Sequence, residues 1–329
     1  MCVEKGIRDL HSAAIIGLGN IGMGYDYQCP DDSLIITHAS AFHYHPAFEL
    51  TGAVDTDKEK RMRFEKKFQR QAYASVKELF LSDSPQVIAI SVPTQHHHST
   101  FMETIQHNLD AVIIEKPISD RLDHAAQMVE KAREEGIAVL INYMRRFEPG
   151  LRKVKQMIAS GKLGDIDKGV VWYSKGILNN GSHFIDLLQF LFGNPEEVKV
   201  IRKGRSWQGV DPEPDVLLRF NQGEIYLLAG KEEHYSIAEM EIYGTEGRLL
   251  YKNGGNTIEF YPCVKDPIYP GYRVISDEAT VIPSELRKSQ YHVLNSLSDF
   301  LEGKVERLAS DGDSALNTLK LVDQIRMQL

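Results

Sequence analysis

The strongest constraint on this chain is the order of its apolar runs between residues 13 and 141. Five short ones, at 13–16, 50–54, 87–92, 111–114 and 138–141, are separated by stretches of helical periodicity. Short continuous apolar runs alternating with helices mark a parallel sheet whose crossovers are helices, because parallel strands are buried on both faces. The last two runs frame the clearest example. Between them Ala125, Met128, Val129 and Ala132 fall at i, i+3, i+4 and i+7, with Ser119 or Asp120 placed to cap the helix and Gly136 to stop it. An α/β, doubly wound parallel sheet is therefore expected at the N-terminus.

After about Asn142 the pattern changes. Helices are expected near 151–160 and 183–192, then many strands, among them 168–173, 216–220, 225–229, 239–243 and 248–251, joined by turns at 221–223, 244–247 and 254–255. Helices near 284–302 and 313–328 finish the chain. This reads as a C-terminal α+β domain with a large, mostly antiparallel open sheet. The expected division is 1–142 and 143–329, with the terminal helices free to pack back on the first domain.

Composition narrows the class of partner. The 46 acidic and 38 basic residues leave a formal charge of -8, which repels nucleic acid and anionic membranes unless a local patch overrides it, so a small molecule is the better ligand. Cys2, Cys29 and Cys263 are far apart with no CxxC pair, and the first residues carry no apolar run of signal-peptide length. Reduced thiols and a cytoplasmic location are expected.

Gly17-Leu18-Gly19-Asn20-Ile21-Gly22 follows the first apolar run directly. Glycines there allow a tight turn, close approach to a pyrophosphate and packing of helix on strand, which makes the first domain Rossmann-type and the ligand a dinucleotide. Asp55 ends the next run, where a carboxylate accepts ribose hydroxyls and repels a 2'-phosphate. This favours NAD, although Thr56 and Lys58 leave NADP open. Gly22 to Asp55 is 33 positions, against roughly 20 in the usual fingerprint. The surplus falls in residues 24–36, before a helix start at Thr37-His38-Ala39. Three readings stand: a late helix, a flap over the cofactor, or a surface loop. Glu115-Lys116-Pro117 closes the run 111–114, and ligands of open parallel sheets collect beyond the carboxyl ends of strands.

These segments resemble the Gfo/Idh/MocA family of NAD(P)-dependent oxidoreductases. Besides the glycine turn, the matching segments are Val92-Pro93-Thr94 with His97, Glu115-Lys116-Pro117, Asn142 through Phe147, Gly161 through Ile166, Gly181 through Asp186, and Asp299-Phe300 through Gly303. The resemblance implies that Lys116 and His183 flank a reacting carbon, and that Pro93, Thr94 and His97 lie near the nicotinamide, with His98 in reserve for His97. Asn179 stands where the family usually has aspartate. Asparagine can orient an imidazole but cannot stabilise imidazolium by charge, so His183 is expected to be less basic than in relatives. Were a helix to begin by residue 179, Asn179 and His183 would share a face.

Oxidation of a secondary alcohol removes a hydroxyl proton while hydride leaves the same carbon, so a titratable base and a cationic donor must meet one oxygen. His183 suits the base and Lys116 the donor. Arg146 and Lys175 are candidate substrate cations, suited to a carboxylate or diphosphate. The catalytic set is thus Lys116, His183 and Asn179; the cofactor set is Gly17, Gly19, Asn20, Ile21, Gly22, Asp55, Pro93, Thr94, His97, Glu115 and Lys116. The expected substrate is a sugar, polyol or nucleotide sugar. An NAD-dependent glycosidase-like activity and a non-catalytic, dinucleotide-binding regulator are the alternatives. No metal is expected: His96, His97 and His98 are adjacent, and neighbours on a helix do not face one site. Relatives imply a homodimer or homotetramer.

Overall fold

The computed structural model describes residues 10–329, so Cys2 lies outside the described residues. The chain divides into two compact units. One is the chain up to Met144 with Arg287–Ser314; the other is Arg145–Leu286 with Ala315–Leu329.

The first unit is built on β1 (His11–Ile16), β2 (Phe48–Val54), β3 (Gln71–Tyr73), β4 (Val87–Ile90), β5 (Ala111–Ile114) and β6 (Ala138–Ile141). All pair in parallel in the order β3-β2-β1-β4-β5-β6. The order reverses at β1 and β4, the switch point beyond which doubly wound sheets hold ligands. Every residue of β4 and β5 is fully buried, which is why these strands read as unbroken apolar runs. The crossovers are α1 (His38–Tyr44), α2 (Lys58–Phe68), α3 (Val76–Ser82), α4 (His97–Thr104) and α5 (Leu122–Glu135).

Several local expectations are corrected. The run 87–92 pairs only through Ile90, and Ser91 and Val92 begin the turn. α5 starts after Arg121 with no side-chain cap; the Ser119 hydroxyl instead accepts the Arg121 N–H at 3.2 Å. Gly136 does close α5, in the left-handed conformation at φ 67°. After the glycine turn comes only a five-residue π-helix, Asn20–Gly24, and α1 begins at His38. The crossover helix is thus split by the insertion.

The second unit opens with α6 (Pro149–Ala159), which Glu148 caps by accepting the N–H groups of Gly150 and Leu151. Then follow β7 (Ile166–Tyr173), α7 (Ser182–Phe192), β8 (Glu197–Trp207), β9 (Asp211–Phe220), β10 (Gly223–Ala229), β11 (Ala238–Gly244), β12 (Gly247–Lys252), β13 (Thr257–Lys265), β14 (Arg273–Ile275) and β15 (Thr280–Ile282). The strands form one sheet in the order β14-β13-β12-β11-β7-β10-β9-β8, with β15 on β13. Only β7 and β10 pair in parallel. Leu151 and Val154 of α6 and Phe184, Ile185 and Leu188 of α7 pack on Val171, Leu218, Leu227, Ile242 and Leu249 of the sheet. α8 (Ser289–Leu301) belongs to the first unit, and α9 (Gly312–Arg326) enters the second from Ala315.

Candidate functional site

In the first unit the candidate residues gather at the carboxyl ends of β1, β2, β4 and β5. The three glycines of the turn are there for different reasons. Gly17 has φ 101°, and a Cβ on it would lie 2.7 Å from the Ser91 carbonyl; a Cβ on Gly22 would lie 2.1 Å from the Gly17 oxygen. The protein itself forbids side chains at both. Gly19 has an ordinary φ of -71°, and nothing lies within 4 Å of where its Cβ would be. Neither backbone conformation nor packing within the protein requires a glycine there. The π-helix that follows starts with Asn20, Ile21 and Gly22, and leading N–H groups of a helix have no intrahelical acceptor. An open methyl-sized space beside such amides fits a pyrophosphate.

Asp55 lies against this turn. Its carboxylate accepts the Leu18 N–H at 2.7 Å and the Asp57 N–H at 2.8 Å, and the Lys60 ammonium stands 3.7 Å away. A carboxylate has about four acceptor positions, so two remain for hydroxyls. The Lys60 charge offsets part of its repulsion toward a phosphate.

The insertion is fastened at both ends. Lys67 of α2 donates to the carbonyls of Asp26, Tyr27 and Cys29, the Arg63 guanidinium covers the Tyr27 ring, and the Ile35 N–H donates to the Arg287 carbonyl. This is a tethered segment rather than a free flap.

Beyond β4, Pro93 precedes a short turn, Thr94–His96. His97 is 1% exposed, and its ring spans from the Val92 carbonyl to the Pro117 carbonyl, each at 3.0 Å. Burial pushes its pKa down, while Glu115 and the two carbonyls act against that. The expected cofactor contact therefore gives way to a bridge that holds the turns after β4 and β5 together. His98 donates to the Gln127 side chain and stacks on His124. Among the described residues no group of three or more His, Cys, Asp or Glu could hold a metal. Cavities of about 670 and 240 Å³ are lined by the first residues of β1 and β6 and lend nothing to this site.

Glu115 follows the end of β5 with its carboxylate buried. Oε1 accepts from His38 Nε2 at 2.9 Å and from the Asn142 amide, and Oε2 accepts the Lys116 N–H at 3.3 Å. Burial alone would raise its pKa, yet the His38 hydrogen bond and charge, Asn142 and the attraction of Lys116 hold it below the ordinary value. Donating to Glu115 fixes the orientation of the Asn142 amide and leaves its buried Oδ1 without a hydrogen-bond partner among the described residues. Sequence reasoning missed His38, because nothing at 38 announces a partner 77 positions away.

In the second unit, Arg146 and its neighbour Arg145 are both buried but engaged differently. Arg146 makes a two-pronged ion pair with Asp186, at 2.8 Å on each carboxylate oxygen, and Asp186 is fully buried. Burial raises the Asp186 pKa against the pull of Arg146. A guanidinium so engaged is a structural charge, which corrects its assignment to substrate. Arg145 is also buried, with Nε on the Tyr251 hydroxyl at 2.8 Å and its carbon 5.5 Å over the Phe184 ring, but its Nη1 has no hydrogen bond among the described residues.

Lys175 is in the left-handed region at φ 68°, and its ammonium pairs with Glu232 at 3.1 Å, so its charge is largely spent inside the unit. The π-helix Gly176–Gly181 leads from it into α7, whose second residue is His183. Two carboxylates of β9 hold the start of this π-helix. Glu213 accepts the N–H groups of Lys175 and Gly176, and Asp211 accepts those of Leu178 and Asn179 at 3.0 and 2.9 Å. Burial nevertheless raises the Asp211 pKa. Asn179 and His183 therefore lie on one helical run, but π winding (i→i+5) replaces the strict i, i+4 register expected for the pair. π-turns of this kind are frequent at functional sites.

Comparison with known proteins agrees with both halves. Residues 12–143 match the model of the oxidoreductase family with an NAD-binding Rossmann fold, and residues 172–250 match the GFO/IDH/MocA C-terminal domain. The trans-1,2-dihydrobenzene-1,2-diol dehydrogenase of Mus musculus is 27% identical over 171 residues, 46% of this chain and 51% of that protein. The chain spans about half the length of the curated relatives that head the comparison. A scyllo-inositol 2-dehydrogenase (NADP(+)) of Bacillus subtilis is 24% identical over 307 residues, 86% of this chain and 90% of that one. The crystal structure of an Agrobacterium radiobacter oxidoreductase in complex with NAD+, L-tartaric acid and magnesium shares the fold, with a TM-score of 0.75 at 18% identity over 97% of this chain and 96% of the other. With a doubly wound sheet, a glycine turn whose Gly19 packing does not explain, and matches to both domain models, the chain belongs to the Gfo/Idh/MocA family of oxidoreductases.

Proposed function

We propose that the protein is an NAD(P)-dependent dehydrogenase that moves a hydride between the nicotinamide and a ring secondary alcohol or ketone of a sugar, polyol or nucleotide sugar. The observation that carries this reading is the open space at Gly19 beside Asp55, on the same edge of the sheet as Lys116, with β4 between the strands that lead to them. The bound dinucleotide supplies the hydride acceptor. In this reading Lys116 donates a hydrogen bond to the substrate oxygen and holds the negative charge that develops there, and His183 takes the hydroxyl proton in oxidation and returns it in reduction. Asn179 orients His183 or a substrate hydroxyl without adding charge. Asp55 favours NAD over NADP, with Lys60 moderating the preference. For the substrate cation we choose Arg145 over Arg146, because an unsatisfied guanidinium N–H lies beside Phe184, the neighbour of His183. A dihydrodiol and an inositol, named for two relatives, are both ring alcohols flanked by a second oxygen, which supports that substrate class. The exposed Trp172 and Tyr243 on the second-unit sheet support a homodimer or homotetramer.

The test is a panel of sugars, inositols and nucleotide sugars followed by nicotinamide absorbance, with Lys116→Ala and His183→Ala alongside. Turnover of at least one ring alcohol is expected, with both variants inactive and dinucleotide affinity within a few-fold of wild type. Full activity of His183→Ala ends the base assignment, and dinucleotide binding without turnover of any member ends the dehydrogenase reading.

A further inference from the structure

We propose that the 24–36 insertion and His38 form a brace that positions Lys116, so that His38 is a positioning residue for hydride transfer. The inference rests on the role proposed for Lys116 above. It starts from Glu115. A carboxylate only accepts hydrogen bonds, so His38 Nε2 carries the proton in the 2.9 Å contact. The same carboxylate accepts the main-chain N–H of Lys116. Where Glu115 points therefore sets where the backbone of residue 116 stands, and His38 with Asn142 decides where Glu115 points.

His38 is the first residue of α1, so its reach depends on where that helix begins. Asp26 fixes the starting point. Its carboxylate is 2% exposed and accepts four hydrogen bonds: from the Thr37 hydroxyl at 2.7 Å, the Ser40 hydroxyl at 2.8 Å, the Ile36 N–H at 2.9 Å and the Thr37 N–H at 3.0 Å. Thr37, His38 and Ser40 are themselves buried, so no water substitutes for these bonds. Asp26 belongs to the insertion, whose carbonyls at 26, 27 and 29 are gripped by Lys67 of α2. A continuous chain of contacts, buried from Asp26 to Glu115 and partly buried at its two ends, thus runs from α2 through Asp26, the start of α1 and His38 to Glu115 and the main chain of Lys116. A merely decorative loop needs no buried carboxylate with four donors at its root. Displacing a catalytic group by even an ångström costs up to about a hundredfold in rate, so such a chain has kinetic weight.

The experiment uses the full chain with saturating dinucleotide and the best alcohol of the panel. His38→Ala is expected to lower kcat by about tenfold to a hundredfold with dinucleotide affinity and substrate KM within about threefold, and to alter the pH profile of kcat. His38→Gln, which can still donate to Glu115, should recover most of the loss. Asp26→Asn should give a smaller fall, and Asp26→Asn with His38→Ala should be no slower than His38→Ala alone, since both act through one path. The proposal is overturned if kcat of His38→Ala stays within twofold of wild type, if His38→Gln is as slow as His38→Ala, or if the double variant multiplies the two losses. Should wild type turn over no alcohol, the parent reading fails, and hydrogen exchange in the peptide 112–118 judges the brace alone. Faster exchange of the Lys116 amide in His38→Ala and Asp26→Asn supports it, and unchanged exchange refutes it.

Discussion

Replacing Gly19 by alanine separates a glycine kept for a ligand from glycines kept for the fold. At position 19 the backbone is in a region any residue adopts and the added methyl meets nothing within 4 Å. Removing glycine freedom from the unfolded chain then stabilises the native state by about 0.4–1 kcal/mol. In a unit of this size that is a rise in Tm of roughly 1–4 °C. The same methyl occupies the approach to the turn amides and removes one charge-assisted hydrogen bond to a phosphate, about 1.5–3 kcal/mol, or roughly a ten- to hundredfold loss in dinucleotide affinity. Gly22→Ala is the contrast. Its Cβ would sit 2.1 Å from the Gly17 oxygen, so the backbone must shift, at about 1–3 kcal/mol and a fall in Tm of roughly 2–12 °C. Scanning fluorimetry with NADH titration by fluorescence measures both quantities on the same samples. Unchanged NADH affinity in Gly19→Ala, or a Tm for Gly22→Ala equal to wild type, would refute the division of labour among the glycines.

Arg146→Ala leaves the buried Asp186 carboxylate unpaired and should cost about 3–5 kcal/mol of stability, with Asp186→Ala restoring part of the loss in the double variant. A Tm loss under 2 °C together with a large rise in KM would return Arg146 to the substrate. Asp55→Ala should raise the NADP-to-NAD ratio of kcat/KM at least tenfold, since it removes the charge that opposes a 2'-phosphate while leaving Lys60 in place; an unchanged ratio excludes Asp55 as the selector. Glu115 is held below its ordinary value of 4.5, so its contribution to stability is full above pH 4.5 and is lost as pH falls through the lower folded value. The Tm gap between wild type and Glu115→Gln should accordingly close on acidification below pH 4.5, and a constant gap down to pH 3 would contradict the assigned ionisation.

What the sequence reveals follows from which forces are local. β5 and β6 are legible to the residue because both faces of each are covered and only apolar side chains survive there. β3 has three residues, one of them buried, and β8 exposes most of its length among Lys199, Arg202, Lys203 and Arg205, so neither makes an apolar signal. The π-helix before His183 is drawn by Asp211 and Glu213, more than thirty positions downstream, and no window around Asn179 contains that information. Arg145 and Arg146 are chemically identical neighbours. Which one meets Asp186 is decided by tertiary packing alone, so the local sequence cannot tell the two apart. The order of the glycine turn, Asp55 and Lys116 was readable because each sits at a strand end whose position periodicity fixes.

The edge strand β6 is finished by residues far away in the chain: the Ile141 N–H donates to the Ser310 carbonyl, and Leu140 bridges Asp311. Since the chain re-enters the first unit only at Arg287, a fragment ending near residue 143 would present that strand's bare amides and carbonyls to any sticky neighbour. Excision, fusion or gene shuffling of the N-terminal half alone should therefore yield insoluble product, whereas a design that splices residues 287–314 back beside it carries its own edge protection.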